Sequence, residues 1–190
     1  MMTTLAGPLP KLVVFDLDYT LWPLWVDTHI DPPLKRRGTT LNEMVDRSGQ
    51  RLSFYADVPS ILFDLRRAGV PIAAASRTSA PRIARQALQG LWIVDSAVGE
   101  AAQPVPAHDL FVHQEIYPGS KVSHFRRIAD ATGVEFADML FFDDEHRNAE
   151  VQSKLGVHFV EVGTQGLDRA TFQRGLEAWQ KKRRTNAKST

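Results

Sequence analysis

The 190-residue sequence contains no cysteine. This absence excludes a thiolate nucleophile, a disulfide framework and a zinc site with cysteine ligands, and it agrees with a reducing compartment. The sequence also has no apolar run near the roughly 18 residues that a membrane span needs. Its first residues lack the basic segment and apolar stretch of a secretory signal. These absences predict a soluble, cytoplasmic (intracellular) protein with no membrane partner.

The chain also has little excess charge of either sign, with 23 Lys and Arg against 22 Asp and Glu. A nucleic-acid-binding protein typically carries a clustered basic face, so we expect no nucleic-acid partner. The apolar fraction of 43% and the charged fraction of 24% are ordinary for a globular protein. We predict one domain over residues 10–180, loose termini at 1–9 and 183–190, and a monomer or weak dimer.

Short apolar runs alternate with segments of helical periodicity along most of the chain. The predicted strands are 12–15, 70–75, 110–117, 139–142 and 157–162, and the predicted helices are 58–67, 80–88, 120–131, 147–155 and 167–182. This alternation predicts the α/β class, as a three-layer Rossmann-like domain with a mostly parallel central sheet. Turn-forming residues in 35–50 and 94–109 predict a mobile surface segment and a loop or insertion.

The stretch 11–21 combines a strand pattern with two acidic residues. Its apolar run, Leu12 to Phe15, predicts a strand buried on both faces. Asp16 and Asp18 follow directly, and a spacing of two lets both side chains face the same side. Because an unpaired buried carboxylate is costly, these two acids require a nearby cation.

Polar groups also follow three other predicted strands. They are Ser76 with Arg77, Lys121 shortly after a strand and its Pro-Gly break, and Asp143 with Asp144. Parallel strands bring their carboxyl ends to one edge of a sheet, where open α/β folds bind ligands, so we expect these groups to converge. Carboxylates, a hydroxyl and two cations suit one Mg²⁺ and one phosphoryl group.

The charges of these residues predict a phosphoryl-transfer mechanism. Asp16 is expected to attack phosphorus and form an aspartyl-phosphate. Asp18 is expected to serve as acid and base, with a pKa raised by crowding with the other carboxylates. Asp143 is expected to hold Mg²⁺ together with Asp16 and the main-chain carbonyl of Asp18.

The remaining polar residues have supporting roles in this prediction. Ser76, Arg77 and Lys121 are expected to bind the phosphoryl oxygens, whose charge must be stabilised as the ester bond breaks. Asp144 is expected to orient Lys121 or a metal-bound water, and Thr20 to support the site without touching substrate. Taken alone, Ser76 is better explained as a helix N-cap than as a phosphate ligand, although one residue can serve as both. Trp22 and Trp25 are expected to be packing residues.

Residues 15–20, FDLDYT, resemble the DxDxT motif of the haloacid dehalogenase (HAD) superfamily, and Ser76, Lys121 and Asp143-Asp144 follow in the order of its other motifs. The segments FDLDYTLWPLWVDTHIDPP, GVPIAAASRTS, EIYPGSKVSHF and FFDDEHRN resemble the magnesium-dependent phosphatase family within it. The resemblance covers most of residues 10–160. It implies a Mg²⁺-dependent phosphatase without a large cap domain and with the site residues assigned above.

The same resemblance implies a substrate range, with two departures and two alternatives. The family is associated with protein phosphotyrosine and with phosphorylated sugars or glycated amines. The segment 94–109 looks longer than the family pattern and is expected to add a rim to the site. His146 stands where Asn is expected. The alternatives are a receiver-like signalling module phosphorylated on Asp, and another HAD-type enzyme such as a phosphotransferase, mutase or dehalogenase.

Overall fold

The computed structural model describes residues 5–188. The strands are β1 (Leu12–Phe15), β2 (Lys35–Arg36), β3 (Met44–Val45), β4 (Arg51–Leu52), β5 (Ile72–Ser76), β6 (Trp92–Ile93), β7 (Val105–Pro106), β8 (Phe111–Ile116), β9 (Met139–Asp143) and β10 (His158–Glu161). The α-helices are α1 (Val26–His29), α2 (Val58–Arg67), α3 (Pro81–Gly90), α4 (Lys121–Thr132), α5 (Glu150–Leu155) and α6 (Arg169–Lys188). Short 3-10 turns span Ser96–Ala101, Ala107–Leu110, Phe136–Asp138 and His146–Ala149.

Five strands form the central sheet in the order β10-β9-β1-β5-β8. Every neighbouring pair in it is parallel. Successive side chains of β1 point to opposite faces, so Leu12 and Val14 join one apolar cluster and Val13 and Phe15 join the other. Because both faces are covered, the strand consists of apolar residues alone, as predicted for a buried parallel strand.

Helices cover both faces and make three layers. Helices α2, α3 and α6 contribute to the cluster around Val13 and Phe15. Helices α4 and α5 contribute to the cluster around Leu12 and Val14. The predicted fold class, a three-layer Rossmann-like α/β domain with a mostly parallel sheet, is confirmed. The predicted absence of a large cap is also confirmed, because within residues 5–188 the insertions outside the main sheet form only two- and three-stranded sheets.

Helix α4 shows how local sequence sets an element's ends. The Ser120 hydroxyl accepts a hydrogen bond from the Val122 amide at 3.1 Å, and Gly133 ends the helix with φ 68°. Helix α2 begins without such a cap, because the side chain of its N-cap residue, Asp57, makes no capping hydrogen bond. Its carboxylate accepts from the Arg169 amide at 2.9 Å instead, and so joins α2 to α6.

Two segments predicted without regular structure contain short antiparallel strands. In 35–50, predicted as a mobile surface segment, β2 and β3 form a small sheet with β4, and the buried Met44 anchors this sheet to the core. In 94–109, β7 pairs with β6. Alternation was too short in both for the sequence to reveal it.

The structure describes part of each terminus that was predicted to be loose. The Gln180 side-chain amide donates to the carbonyls of Ala6 and Pro8, so this part of the leader packs on α6. Helix α6 continues to Lys188, through most of the segment 183–190 predicted to be loose. The rest of the predicted loose termini, 1–4 and 189–190, lies outside the described residues. None of the helices described is long and apolar enough to cross a membrane.

Candidate active site

A cavity of about 280 Å³ opens at the carboxyl edge of the central sheet. It is lined by Asp16, Asp18, Trp25, Asp27, Thr28, Ser76, Arg77, Thr78, Asp144, Glu145 and Arg147. These residues come from the segments after β1, β5 and β9, which parallel pairing brings to the same edge. Five of the residues singled out from the sequence, Asp16, Asp18, Ser76, Arg77 and Asp144, are part of this lining. None of the described lining residues comes from 94–109, which was expected to add a rim.

Beneath the cavity, Lys121 joins two carboxylates. Its ammonium group, which is fully buried, lies 2.6 Å from Asp16 Oδ1 and 2.9 Å from Asp143 Oδ2, and it also donates to the Ala75 carbonyl. Burial lowers the pKa of Lys121, but the two carboxylates more than offset this and raise it above its ordinary value. The lysine therefore stays charged, and its three N–H groups already have three hydrogen-bond acceptors.

Asp143 is the most completely enclosed carboxylate of the site. Besides Lys121, it accepts from the Asn148 side-chain amide at 2.9 Å to each oxygen and from the Glu145 amide at 2.8 Å. The Asn148 carbonyl oxygen in turn accepts from Arg77 at 3.2 Å. Asn148 was not singled out from the sequence. The sequence feature that could have identified it is its position five residues after Asp143, because the short 3-10 turn His146–Ala149 brings the chain back to Asp143.

Three carboxylates offer oxygens to a common point. One oxygen each from Asp16, Asp143 and Asp144 lies within 4.8 Å of the other two. Hard oxygen donors of this kind suit Mg²⁺, with water and phosphate oxygens completing the shell, so the residues fit the predicted ion. Asp144, which was expected to orient its neighbours, contributes one of these three oxygens. Burial, followed by Asp143 and Glu145, raises the pKa of Asp144 to about 6.

Asp16 and Asp18 are held differently. Burial raises the pKa of Asp16 well above its ordinary value, while Lys121 acts in the opposite direction. Asp18 accepts from Trp22 Nε1 at 2.7 Å and from the Val26 amide at 3.4 Å. Burial raises the pKa of Asp18 to about 7, and these hydrogen bonds only partly counter it. The predicted direction agrees, but burial rather than crowding of carboxylates is the main cause.

Ser76, Thr20 and His146 were also discussed from the sequence, and the structure shows the burial and the contacts of each. Ser76 ends β5 and is buried, and its hydroxyl accepts from the Thr78 amide at 3.3 Å. It is not a helix N-cap, because α3 begins only at Pro81. Thr20 is buried beside the site, and its hydroxyl has no hydrogen-bond partner among residues 5–188. His146, the departure from the family pattern, lies at the surface and pairs with Glu161.

Helix α1 forms one wall of the cavity. Trp25 lines it with 48% of its surface exposed, so the expectation that Trp25 is a packing residue is wrong. Trp22, by contrast, is fully buried and stacks on Phe54, as expected of a packing residue. Asp27 accepts from the amide and hydroxyl of Ser79, at 3.1 and 2.8 Å, and fixes α1 to the segment after β5.

Comparison with solved structures identifies the class of fold. A HAD-superfamily hydrolase from Ehrlichia chaffeensis superposes with a TM-score of 0.57 and 10% identity, over 92% of this chain and 98% of that one. The N-terminal part of a Bacteroides fragilis protein containing a phosphatase domain, complexed with Mg, gives a TM-score of 0.57 and 17% identity, over 90% of this chain and 40% of that one. The architecture is therefore that of HAD-superfamily hydrolases.

Sequence relatives narrow this class. Residues 8–182 match the acid phosphatase family model, and the chain belongs to that family. It is 46% identical to human magnesium-dependent phosphatase 1 over 176 residues, 91% of this chain and 89% of the relative. It is 44% identical to a HAD-like hydrolase superfamily protein of Schizosaccharomyces pombe, over 80% of this chain and 85% of the relative. The predicted family resemblance and the predicted enzyme class, a phosphatase, are confirmed.

Proposed function

We propose that this protein is a Mg²⁺-dependent phosphatase that hydrolyses phosphomonoesters through an aspartyl-phosphate on Asp16. The observation that carries the proposal is the meeting of three carboxylate oxygens, from Asp16, Asp143 and Asp144, within 4.8 Å. Asp16 and Asp144 border a cavity that also contains Ser76 and Arg77. The Mg²⁺ named in the human relative and in the Bacteroides fragilis structure supports the same ion here.

The proposed reaction starts with attack of an Asp16 carboxylate oxygen on phosphorus. The bond from phosphorus to the ester oxygen breaks, and that oxygen leaves with a proton from Asp18. Asp18 then takes a proton from water, whose oxygen attacks the phosphorus of the aspartyl-phosphate. The bond between phosphorus and the Asp16 oxygen breaks, which restores the Asp16 carboxylate and releases inorganic phosphate. The pKa of Asp18, about 7, leaves both of its protonation states accessible at neutral pH, as a group that gives and then takes a proton requires.

Charge control accompanies these steps. When bound, Mg²⁺ supplies positive charge to the carboxylates and to the phosphoryl oxygens. Asp16, Asp143 and the Asp18 main-chain carbonyl would hold the ion, with Asp144 as a further ligand. Ser76 and Arg77 line the cavity and would bind the phosphoryl oxygens. The role of Lys121 stays a prediction, and its contacts favour holding Asp16 and Asp143 together over reaching the substrate.

The proposal also covers the substrate class, the location and the oligomeric state of the enzyme. We propose as substrate a phosphotyrosine side chain of a protein, or a phosphorylated sugar or glycated amine, which are the classes that the family resemblance implies. A cytoplasmic monomer or weak dimer, folded as one domain over 10–180, stays our prediction. Neither a nucleic acid nor a membrane is needed by this chemistry.

Steady-state release of phosphate from p-nitrophenyl phosphate tests the proposal. Continuous turnover that needs Mg²⁺ and stops with a chelator is expected. A burst equal to the enzyme concentration, followed by no further release, would support the receiver-like alternative. The Asp18→Asn variant tests the intermediate, because slowed hydrolysis should let a phosphoenzyme accumulate that hydroxylamine cleaves, as it does acyl phosphates. Full activity of Asp18→Asn would contradict the acid–base role.

A further inference from the structure

We propose that Trp25 determines specificity at this site, as a rigid aromatic platform that stacks on a planar, aromatic leaving group. The inference rests on the proposed phosphatase function and concerns the part of the substrate that departs with the ester oxygen. It starts from a large indole ring that is nearly half exposed yet lines the same cavity as Asp16 and Asp18. Burying such a ring against a ligand releases apolar surface from water.

The indole is fixed before any ligand arrives. It stacks on the His29 imidazole with ring centroids 5.6 Å apart and an angle of 12°, and it meets the Tyr19 ring edge-on at 5.0 Å and 72°. The Trp25 amide also donates to His29 Nδ1 at 3.0 Å, which fixes the imidazole beneath it. A side chain already held in one orientation loses little conformational entropy on binding, so stacking contributes more to affinity.

The position of the platform follows from the position of the acid. The leaving oxygen must lie within hydrogen-bond reach of Asp18, because Asp18 protonates it. Asp18 accepts from the Val26 amide, the residue next to Trp25, and both Asp18 and Trp25 line the cavity. The group attached to the leaving oxygen therefore emerges along the Trp25 wall.

Charges on the same wall define the chemistry further. Hydrogen bonds from Ser79 and Thr28 outweigh burial and lower the pKa of Asp27, so Asp27 is ionised at neutral pH. Asp27 and Glu145 line the cavity mouth, and Arg147 there is already paired with Glu145 at 2.6 Å. A flat ring without negative charge fits this wall, whereas a leaving group with a carboxylate or second phosphate meets repulsion.

Two esters with contrasting leaving groups test the platform. Phenyl phosphate carries a ring, and glycerol 2-phosphate carries an open chain. For Trp25→Leu we expect kcat/KM to fall about three- to tenfold with phenyl phosphate, the range of one aromatic pair, and to change less than about twofold with glycerol 2-phosphate. Trp25→Phe should keep most of the phenyl phosphate activity. Trp92→Leu is the matched control, because Trp92 packs under Arg36 and does not line the cavity.

A binding measurement separates the platform from catalysis. Phenylphosphonate and methylphosphonate cannot be hydrolysed, and calorimetry with Mg²⁺ gives their affinities. Trp25→Leu should weaken the binding of phenylphosphonate by the same three- to tenfold, which is the contribution of about one aromatic pair. The binding of methylphosphonate should be unchanged. Equal losses with both phosphonates, or with both esters, would overturn the platform. If the wild-type protein hydrolyses neither ester, the proposed function fails, and the phosphonate titration still decides whether Trp25 stacks.

Discussion

The two ends of strands β1 and β9 carry similar residues in different surroundings. At their amino ends, Lys11 precedes β1 and Asp138 precedes β9, and the two side chains pair at 2.7 Å with Lys11 68% exposed. At their carboxyl ends, Asp16 and Asp143 both meet the fully buried Lys121. Each end thus has a lysine bound to aspartate.

The difference lies in desolvation. Water solvates Lys11, so its ion pair contributes little to stability and can be broken at little cost. Lys121 and Asp143 are removed from water, so each depends on the others for its charge to be tolerated. A carboxylate beside a strand is therefore not a site by itself. A site arises where several carboxylates are buried together and carry more negative charge than the buried lysine can neutralise.

Replacing the nucleophile should give the largest effect. Asp16→Asn removes the attacking oxygen and is expected to lower kcat by about 10⁴-fold or more while the circular dichroism spectrum is unchanged. Asp138→Asn, at the opposite end of the sheet, should keep kcat within about threefold, because Asp138 pairs with Lys11 and Arg183 and does not line the cavity. Comparable activity of the two variants would remove the distinction between the two ends.

Replacing each lysine should give the next largest effect. Lys121→Met leaves Asp16 and Asp143 buried without their cation, and should lower the free energy of unfolding by about 3–5 kcal/mol. Lys11→Met should lower it by about 0.2–1 kcal/mol. Urea unfolding with a chelator present measures both without help from metal. Similar losses would mean that burial does not separate the two pairs.

Mg²⁺ should stabilise the protein by binding at the carboxyl ends of β1 and β9 and not at their amino ends. At about 100 times its dissociation constant, a ligand specific for the folded state raises the free energy of unfolding by about 2.7 kcal/mol. Thermal unfolding with and without Mg²⁺ should show this rise in the wild-type protein and in Asp138→Asn. The rise should be absent in Asp143→Asn. Its persistence there would place the ion elsewhere.

Acid pH should produce the smallest effect, at the amino end of β10. Burial, and then Lys182, lower the pKa of His158 below its ordinary 6.5. The folded state then binds fewer protons than the unfolded state, so stability is lost as the pH falls below 6.5. Urea unfolding between pH 7.5 and 5.5 should show a shallower decline for His158→Gln than for the wild-type protein. An unchanged decline would contradict this assignment.

The sequence was sufficient to predict the parallel sheet and the meeting of Asp16 and Asp143 at its carboxyl edge. Parallel pairing is a strong constraint, so an apolar run that ends in Asp16 or Asp143 is enough to place that residue. The strands β2, β3, β4, β6 and β7 were missed because two-residue strands carry no readable alternation. The length of α6 was also missed, since a basic polar segment has the composition of a disordered tail.

The parts of the site that sequence did not reveal depend on burial and orientation. Trp22 and Trp25 are three positions apart in the same irregular segment, yet one is in the core and the other lines the cavity. Nothing in their types or spacing separates them. Lys121 was expected to face the substrate, whereas its contacts lie with Asp16, Asp143 and a carbonyl beneath the cavity. Side-chain direction of this kind is set by neighbours distant in the chain.

The central place of β1 has a consequence for biosynthesis. This strand is made first among the five, but its sheet neighbours β5 and β9 come later in the chain. At 5–20 residues per second, the 127 positions between Asp16 and Asp143 correspond to roughly 6–25 s of translation. During that time β5 can pair with β1, but the other edge of β1 has no neighbour and the cluster of Asp16, Asp143 and Asp144 cannot assemble.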